Sequence, residues 1–278
     1  MSSALVTLLA LVFVNILPRS GGSVKTQPNE VHKAFLAASS KSLPEASSIF
    51  RNAGLMPVPL DDSKSPRING SGWGIREYTR IDFDLLDAER KLGGIGLKTG
   101  DLGRGIVAYD LDTDAYRDAA LAVLPRTLGI GRGGMLRKLI LICDGPCPDS
   151  DRTTARTDGP VCKKGTELGY MKAGRGEAQH QIVVPPGVWR KGAKSQRLEI
   201  ICDTAPAVAT SAQLVAWARE IKRIALAAIG EDVPQELKAT SEPVNIAITD
   251  GVKSRATRWL AKKCMTLAGM SPAPDEDN

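Results

Sequence analysis

"GIVAYDLDTD", residues 105–114, reads as an apolar strand that ends in two carboxylates. Side chains alternate faces along an extended chain, so Asp110 and Asp112 project to one side while Leu111 points the other way into packing. Like charges this close repel, and the pair asks for something positive between them. Carboxylate oxygens are ligands for hard divalent cations, and two-metal sites use such pairs to clamp the attacking and leaving oxygens of a phosphoryl displacement. Asp-Thr-Asp is also ordinary turn chemistry, so the pair alone leaves a strand ending in a solvated turn as an equal alternative.

On the C-terminal side, "AYRDAALAVLPRTLG" predicts a helix closed by Gly129, and "MLRKLILIC" a buried strand. "CDGPCPDSDRTTARTDGPVCKKG" reads as a long polar loop, whose length suggests function or mobility. "TELGYMKA", "AQHQIVVPPG" and "SQRLEIICD" are strands, and "SAQLVAWAREIKRIALAAIG" is the clearest helix, with Leu214, Trp217, Ile221 and Ile224/Ala225 at helical spacing. On the N-terminal side, "GGIGLKTG" supplies another strand, joined to the acidic one by a Gly-rich turn. "RIDFDLLDAERK" is a helix with acidic residues toward its start, and "LMPVPL" a short strand. "NEVHKAFLAASSKSLPEASSIFRNAG" holds a helical run that stops at Gly54, with Glu45–Phe50 as a second short helix. Because the central strands run consecutively, the pattern favours an α+β fold over a doubly wound parallel one. Its central sheet is mixed or antiparallel, with flanking helices.

The chain has 278 residues, 42% of them hydrophobic, enough for one substantial domain with appendages. The expected division is an apolar extension over 1–30, a main domain over 31–230, and over 231–278 a linker with the start of a C-terminal helical segment. A formal net charge of +6 favours polyanionic partners such as nucleic acid, nucleotides or an acidic membrane surface. Five cysteines at irregular spacing do not read as a disulfide framework, which points to a reducing, cytoplasmic setting. Cys143, Cys147 and Cys162 lack the paired CxxC units of a zinc site. The apolar run Ala4–Pro18 is shorter than the ~20 residues that span a bilayer, and no Lys or Arg precedes it. It reads as an extension rather than a signal or an anchor, and no stable membrane association is expected.

Several stretches in order resemble the primase-polymerase domains of the archaeo-eukaryotic primase superfamily, as found at the N-terminus of phage and plasmid primase-helicases. "AGLMPVPLDDSKSPRINGSGWG" is similar to that family's opening, and "GGIGLKTGDLGRGIVAYDLDTD" to its Gly-Leu-x-Thr-Gly strand leading into the acidic strand. "GRGGMLRKLILI" is similar to its R-x-G-x-x-x-K-x-L strand, and "GTELGYMKAGRGEAQHQIVVPPGVW" to its Gln-containing strand pair ending in Pro-Pro. The likeness covers Phe35 to Ile229.

The resemblance implies an RRM-like catalytic core and a DNA primase or DNA polymerase, a nucleotidyltransferase that joins (d)NTPs on a single-stranded DNA template. It implies that Asp110, Asp112 and Glu167 bind Mg2+ or Mn2+ in a two-metal site. Arg132 and Lys138 would hold the incoming triphosphate, with His180 and Gln181 on a strand facing the site. Each has a plainer alternative: Glu167 an exposed strand carboxylate, Lys138 a strand-edge charge, Arg132 a turn residue, His180 a hydrogen-bonded structural histidine. Lys163, Lys164, Arg175, Arg190, Lys191 and Lys194 sit on basic loops that could follow a template backbone. Two positions depart from the family: Trp189 stands at or near a common histidine, and no small-x-His follows the acidic strand. "SRATRWLAKKCMTLAG" resembles the start of the family's next helical segment; no GxxxxGK[ST] occurs, so a helicase partner or further C-terminal part would supply unwinding. Two rivals remain, a catalytically weak or inactive DNA-binding module of the same fold and a DxD glycosyltransferase.

Overall fold

The computed structural model describes residues 26–66, 73–175, 180–191 and 194–231. The chain opens with α1 (Pro28–Ala38), started by a proline in its first turn, and α2 (Leu43–Asn52), where Ser42 and Glu45 cap each other reciprocally. Strand β1 (Pro57–Leu60) follows, then α3 (Arg80–Ala88), whose Asp82 accepts from the Thr79 backbone N–H at 2.7 Å. Next come β2 (Gly94–Lys98), β3 (Ile106–Asp110), α4 (Asp114–Val123), β4 (Leu128–Arg132) and β5 (Met135–Asp144). The rest is mainly strand: β6 (Asp151–Thr154), β7 (Glu167–Lys172), β8 (Gln181–Val184), β9 (Val188–Lys191), β10 (Lys194–Arg197), β11 (Glu199–Cys202) and β12 (Ala207–Thr210). Helix α5 (Ser211–Ala228) ends the described part, opened by a Thr210–Gln213 capping box.

Seven strands form the main sheet in the order β11-β4-β5-β3-β7-β6, with β12 beside the last residues of β5. All its pairings are antiparallel except β12 with β5. Strands β3 and β4 run parallel with β5 inserted between them, so β3-α4-β4 is a split β-α-β unit. Strands β1, β2 and β8 make a second, three-stranded antiparallel sheet, and β9–β10 is a separate hairpin. The fold is thus α+β with antiparallel sheets and flanking helices.

The period-two alternation of β3 divides the core. Val107, Tyr109 and Leu111 face α4 and α5, packing with Tyr116, Leu214, Trp217 and Ile221. Ile106 and Ala108 face the other way, into a second core with Phe35, Phe50, Phe83, Leu97 and Ile182 from the N-terminal helices and the small sheet. Asp110 continues this second series at the end where that cover stops.

Strands β2 and β3 are joined by a turn in which Gly100 (73°) and Gly105 (88°) take positive φ, and they enter different sheets. Three local expectations are corrected. Helix α4 ends at Val123, before Pro125, and Gly129 lies inside β4. The stretch read as a polar loop contains β6, whose Thr153 is buried. "SQRLEIICD" is two strands, β10 and β11, broken at Leu198. The apolar run Ala4–Pro18, the linker after Glu231 and the basic C-terminal stretch lie outside the described residues. Among the described residues no helix is long and apolar enough to cross a membrane.

Candidate active site

Asp110 is flanked on both sides by strands, and each delivers a lysine to it. Lys138 on β5 is its direct cross-strand partner; on β7 the partner is Tyr170, with Lys172 two positions along on the same face. One carboxylate oxygen accepts from Lys138 Nζ, the other from Lys172 Nζ at 2.6 Å. Burial alone would raise the pKa of this nearly enclosed carboxyl, but the two ammonium groups outweigh it and hold the pKa below the usual range. The positive charge required by the acidic pair is therefore supplied in part by the chain itself.

Asp112 stands at the exposed rim of the same end. Protein around its carboxyl thins its hydration, and with the adjacent Asp110 this raises its pKa; a hydrogen bond with Glu167 works the other way. Glu167 shows the same upward shift, first from desolvation and then from Asp112, against the pull of Arg152 at 3.1 Å. The position of Glu167 depends on an irregularity. Pairing of β6 with β7 shifts register between Thr153 and Thr154, so Glu167 and Tyr170, three apart, reach the cleft while Leu168 and Met171 both reach the α4/α5 core. A second bulge does the same on β5. Ile130 pairs Lys138 and Gly131 pairs Leu136, leaving Arg137 as the extra residue, and both Arg137 and Lys138 line the cleft.

The cleft encloses about 480 Å³. All seven residues singled out from the sequence line it: Asp110, Asp112, Glu167, Arg132, Lys138, His180 and Gln181. Strands β3, β5 and β7 form its floor; Gln181 on β8 and His180 just before it close one side, and Trp189 on β9 closes another. His180 Nε2 lies 3.3 Å from the Tyr170 hydroxyl, with the rings edge to face. Burial, then Lys172 and Arg152, lowers the His180 pKa, so its imidazole is neutral at pH 7. Gln181 donates from Nε2 to the Lys64 carbonyl at 2.9 Å, tying β8 to the loop after β1.

Sequence reasoning missed Arg152, Tyr170 and Lys172, gave Lys64 of the Lys-Ser-Pro loop no role, and read Trp189 only as a departure. Period-two spacing from Tyr170 was the available signal for Lys172; Arg152 comes from an edge position that no local pattern marks. The basic loop residues do not gather here. Arg175 donates to the Cys147 carbonyl at 3.4 Å, Arg190 pairs with Asp62, and Lys163, Lys164 and Lys194 are exposed away from the cleft lining. Cys143 and Cys147 are buried free thiols whose pKa values burial pushes up.

Among the described residues no three His, Cys, Asp or Glu side chains form a ready cage for a metal ion. The donor chemistry at the rim nevertheless fits a divalent cation. Desolvation first, then a neighbouring carboxylate, Asp110 for Asp112 and Asp112 for Glu167, shifts both pKa values upward, which a cation would relieve. Asp110 uses one site on each oxygen for a lysine, and a carboxylate offers about four lone-pair sites. Neither a scan against protein-family models nor a search of curated proteins finds a match to this chain.

Proposed function

We propose that the cleft is the nucleotidyl-transfer site of a DNA primase or polymerase of the archaeo-eukaryotic primase kind, using (d)NTPs on a single-stranded DNA template. The observation that carries this reading is convergence. Residues taken from separate sequence motifs between positions 110 and 181 line one cleft, carboxylates beside cations, as phosphoryl transfer to a polyanion needs. The split β3-α4-β4 unit with β5 inserted is compatible with an RRM-like core. Work alongside a replicative helicase, in the cytoplasm, belongs to the same reading.

Asp110, Asp112 and Glu167 would hold Mg2+ or Mn2+ in a two-metal arrangement. Such ions, when bound, lower the pKa of an attacking hydroxyl and neutralise charge on the reacting phosphate. The chain's own groups position the nucleotide. Lys138 and Lys172 keep Asp110 ionised and stand where the floor meets the triphosphate. Arg132 and Lys64 offer cationic donors to its outer phosphates. Neutral His180, steadied by Tyr170, can donate a hydrogen bond without adding charge.

The test is labelled-nucleotide incorporation on single-stranded DNA, with and without a primer, in Mg2+ or Mn2+. Wild type should synthesise and Asp110→Ala/Asp112→Ala should lose at least about 10³-fold, as expected when groups that stabilise transferring phosphoryl charge are removed. A second reading, a binding module without catalysis, draws on the lysine held at each Asp110 oxygen. It predicts metal-independent DNA binding, unchanged in the double variant, and no synthesis.

A further inference from the structure

Six cationic side chains line the cleft: Lys64, Arg132, Arg137, Lys138, Arg152 and Lys172. Arg137 reaches the Met135 sulfur at 3.5 Å, and the other five are held in two ways. Lys138 and Lys172 are paired with Asp110 and Arg152 with Glu167, with the Tyr170 ring beside Arg152 and Lys172 as well. Arg132 and Lys64 pack instead against Trp189, with the Arg132 guanidinium carbon 3.8 Å and Lys64 Nζ 5.0 Å from the ring centroid. Both distances lie within the reach of a cation–π contact.

We infer that Trp189 is the positioning residue of an oligophosphate subsite, its indole holding Arg132 and Lys64 ready without cancelling their charge. This rests on the proposal that the cleft takes a nucleoside triphosphate. The argument is electrostatic. A carboxylate between two cations would order them but neutralise them, and an anionic ligand would have to displace it. The face of an indole attracts a cation through its quadrupole and carries no net charge, so the positive potential remains available. Desolvation, then the neighbouring Lys138 and Arg132, lowers the Lys64 pKa against the pull of Asp110.

The parts meet from three places in the chain. Lys64 lies in the loop after β1, Arg132 at the end of β4 beside the tight Gly133–Gly134 turn, and Trp189 on the β9–β10 hairpin. The hairpin belongs to neither larger sheet, and Arg190, next to the tryptophan, pairs with Asp62 in the Lys64 loop. Trp189 thus fixes two cations and seats the hairpin over one side of the cleft. Two cations on one ring suit a chain of phosphates rather than a single phosphate.

The experiment compares wild type, Trp189→Leu and Trp189→Phe as full chains. Titrations use inorganic tripolyphosphate, inorganic phosphate and Mg2+-dATP by calorimetry, and steady-state incorporation gives KM and kcat. Trp189→Leu should weaken tripolyphosphate and dATP roughly five- to tenfold and raise KM by a similar factor, the size of a partly exposed cation–π contact. Its kcat should change by less than about twofold. Trp189→Phe, which keeps a π face, should recover most of the loss, and inorganic phosphate should bind weakly to all three. Equal losses in the Leu and Phe variants, or no loss in either, overturn the inference while leaving synthesis by the wild type to support the functional reading. Wild type that binds neither dATP nor tripolyphosphate overturns both. Should Trp189→Leu fail to fold, Trp189→Met decides: it fills the space with an adaptable side chain that has no π face, so weakened tripolyphosphate binding supports the inference and unchanged binding overturns it.

Discussion

The two walls of the cleft solve the same problem, how to keep lysines and arginines in place, by different means. On the floor and its β6 edge three cations have a carboxylate: Lys138 and Lys172 on Asp110, Arg152 on Glu167. On the side formed by Trp189, Arg132 and Lys64 have an aromatic ring. The floor balances its own charge and is therefore part of what holds the sheet together. The aromatic side keeps its charge for a ligand. Substitutions on the floor should thus be read first in stability, and those on the aromatic side in binding.

The strongest contrast is expected within the acidic pair. Asp110→Ala strands two ammonium groups, each about one-fifth exposed (18% and 22%), beside a buried position. Breaking a buried ion pair by removing one partner costs about 3–5 kcal/mol, and partial rehydration of the lysines brings this to about 2–4 kcal/mol. Asp112→Ala should lose nothing at pH 7. Its folded pKa is raised, so the unfolded chain ionises first; above the ordinary carboxylate range the fold carries that cost, and removing the carboxyl gives a small gain. In acid, where Asp112 is protonated in both states, the gain disappears. Urea titrations at pH 7 and about pH 2.5, well below the ordinary aspartate pKa, read both variants, and equal losses would remove the distinction between a paired and a repelled carboxylate.

A comparison across the walls comes next. Lys138→Ala leaves Asp110 with Lys172 alone and should cost about 1–2 kcal/mol in urea unfolding. Arg132→Ala should stay within about 0.5 kcal/mol of wild type, because the surface it leaves is half-exposed and unpaired with any carboxylate. Its dATP affinity should instead fall about 10- to 100-fold, the worth of charge-assisted hydrogen bonds to phosphate. If Arg132→Ala proves as unstable as Lys138→Ala, the aromatic stack is structural and the division between walls fails.

What the sequence made legible follows local rules. The alternation in 106–111 placed Asp110 and Asp112 on one side and Leu111 in the core, since a strand's period leaves no other choice. Helix α5 was visible in its 3.6-residue spacing. Less legible was which sheet each strand joined. β2 and β3 are close in sequence, yet their partners, β8 and β7, come some 60 to 90 residues later. The bulges were invisible too. Strict alternation puts Glu167 on the same side as Gly169, but Gly169 faces Tyr116 so closely that an added Cβ would lie 2.1 Å from the ring. Only the register shift at Thr153/Thr154 lets the strand seat a glycine under the tyrosine and still aim Glu167 at the cleft. The aromatic wall was hidden because Lys64, Arg132 and Trp189 come from three separate parts of the chain and cation–π pairs leave no periodic trace.

Lys98 sharpens the comparison by offering a third case, a buried cation with neither a carboxylate nor an open cleft. It is 2% exposed, and its Nζ donates to the Arg76 carbonyl at 2.6 Å with the Tyr78 ring 5.9 Å away. Desolvation lowers its pKa to about 8, so a neutral amine forms in the fold at a pH where the unfolded lysine, near pKa 10.4, is still charged. Between those values the unfolded chain binds more protons, and stability must rise with pH. Lys98→Met keeps the length of the side chain and removes the titration. The difference in unfolding free energy between wild type and Lys98→Met should therefore move in favour of wild type by about 1 kcal/mol from pH 8 to pH 9.5. Taking the difference cancels the tyrosines and cysteines that titrate alongside. Parallel curves would mean that the carbonyl and the ring suffice to keep the ammonium charged, and that a carboxylate-free cation survives burial without help from an open, anion-seeking cleft.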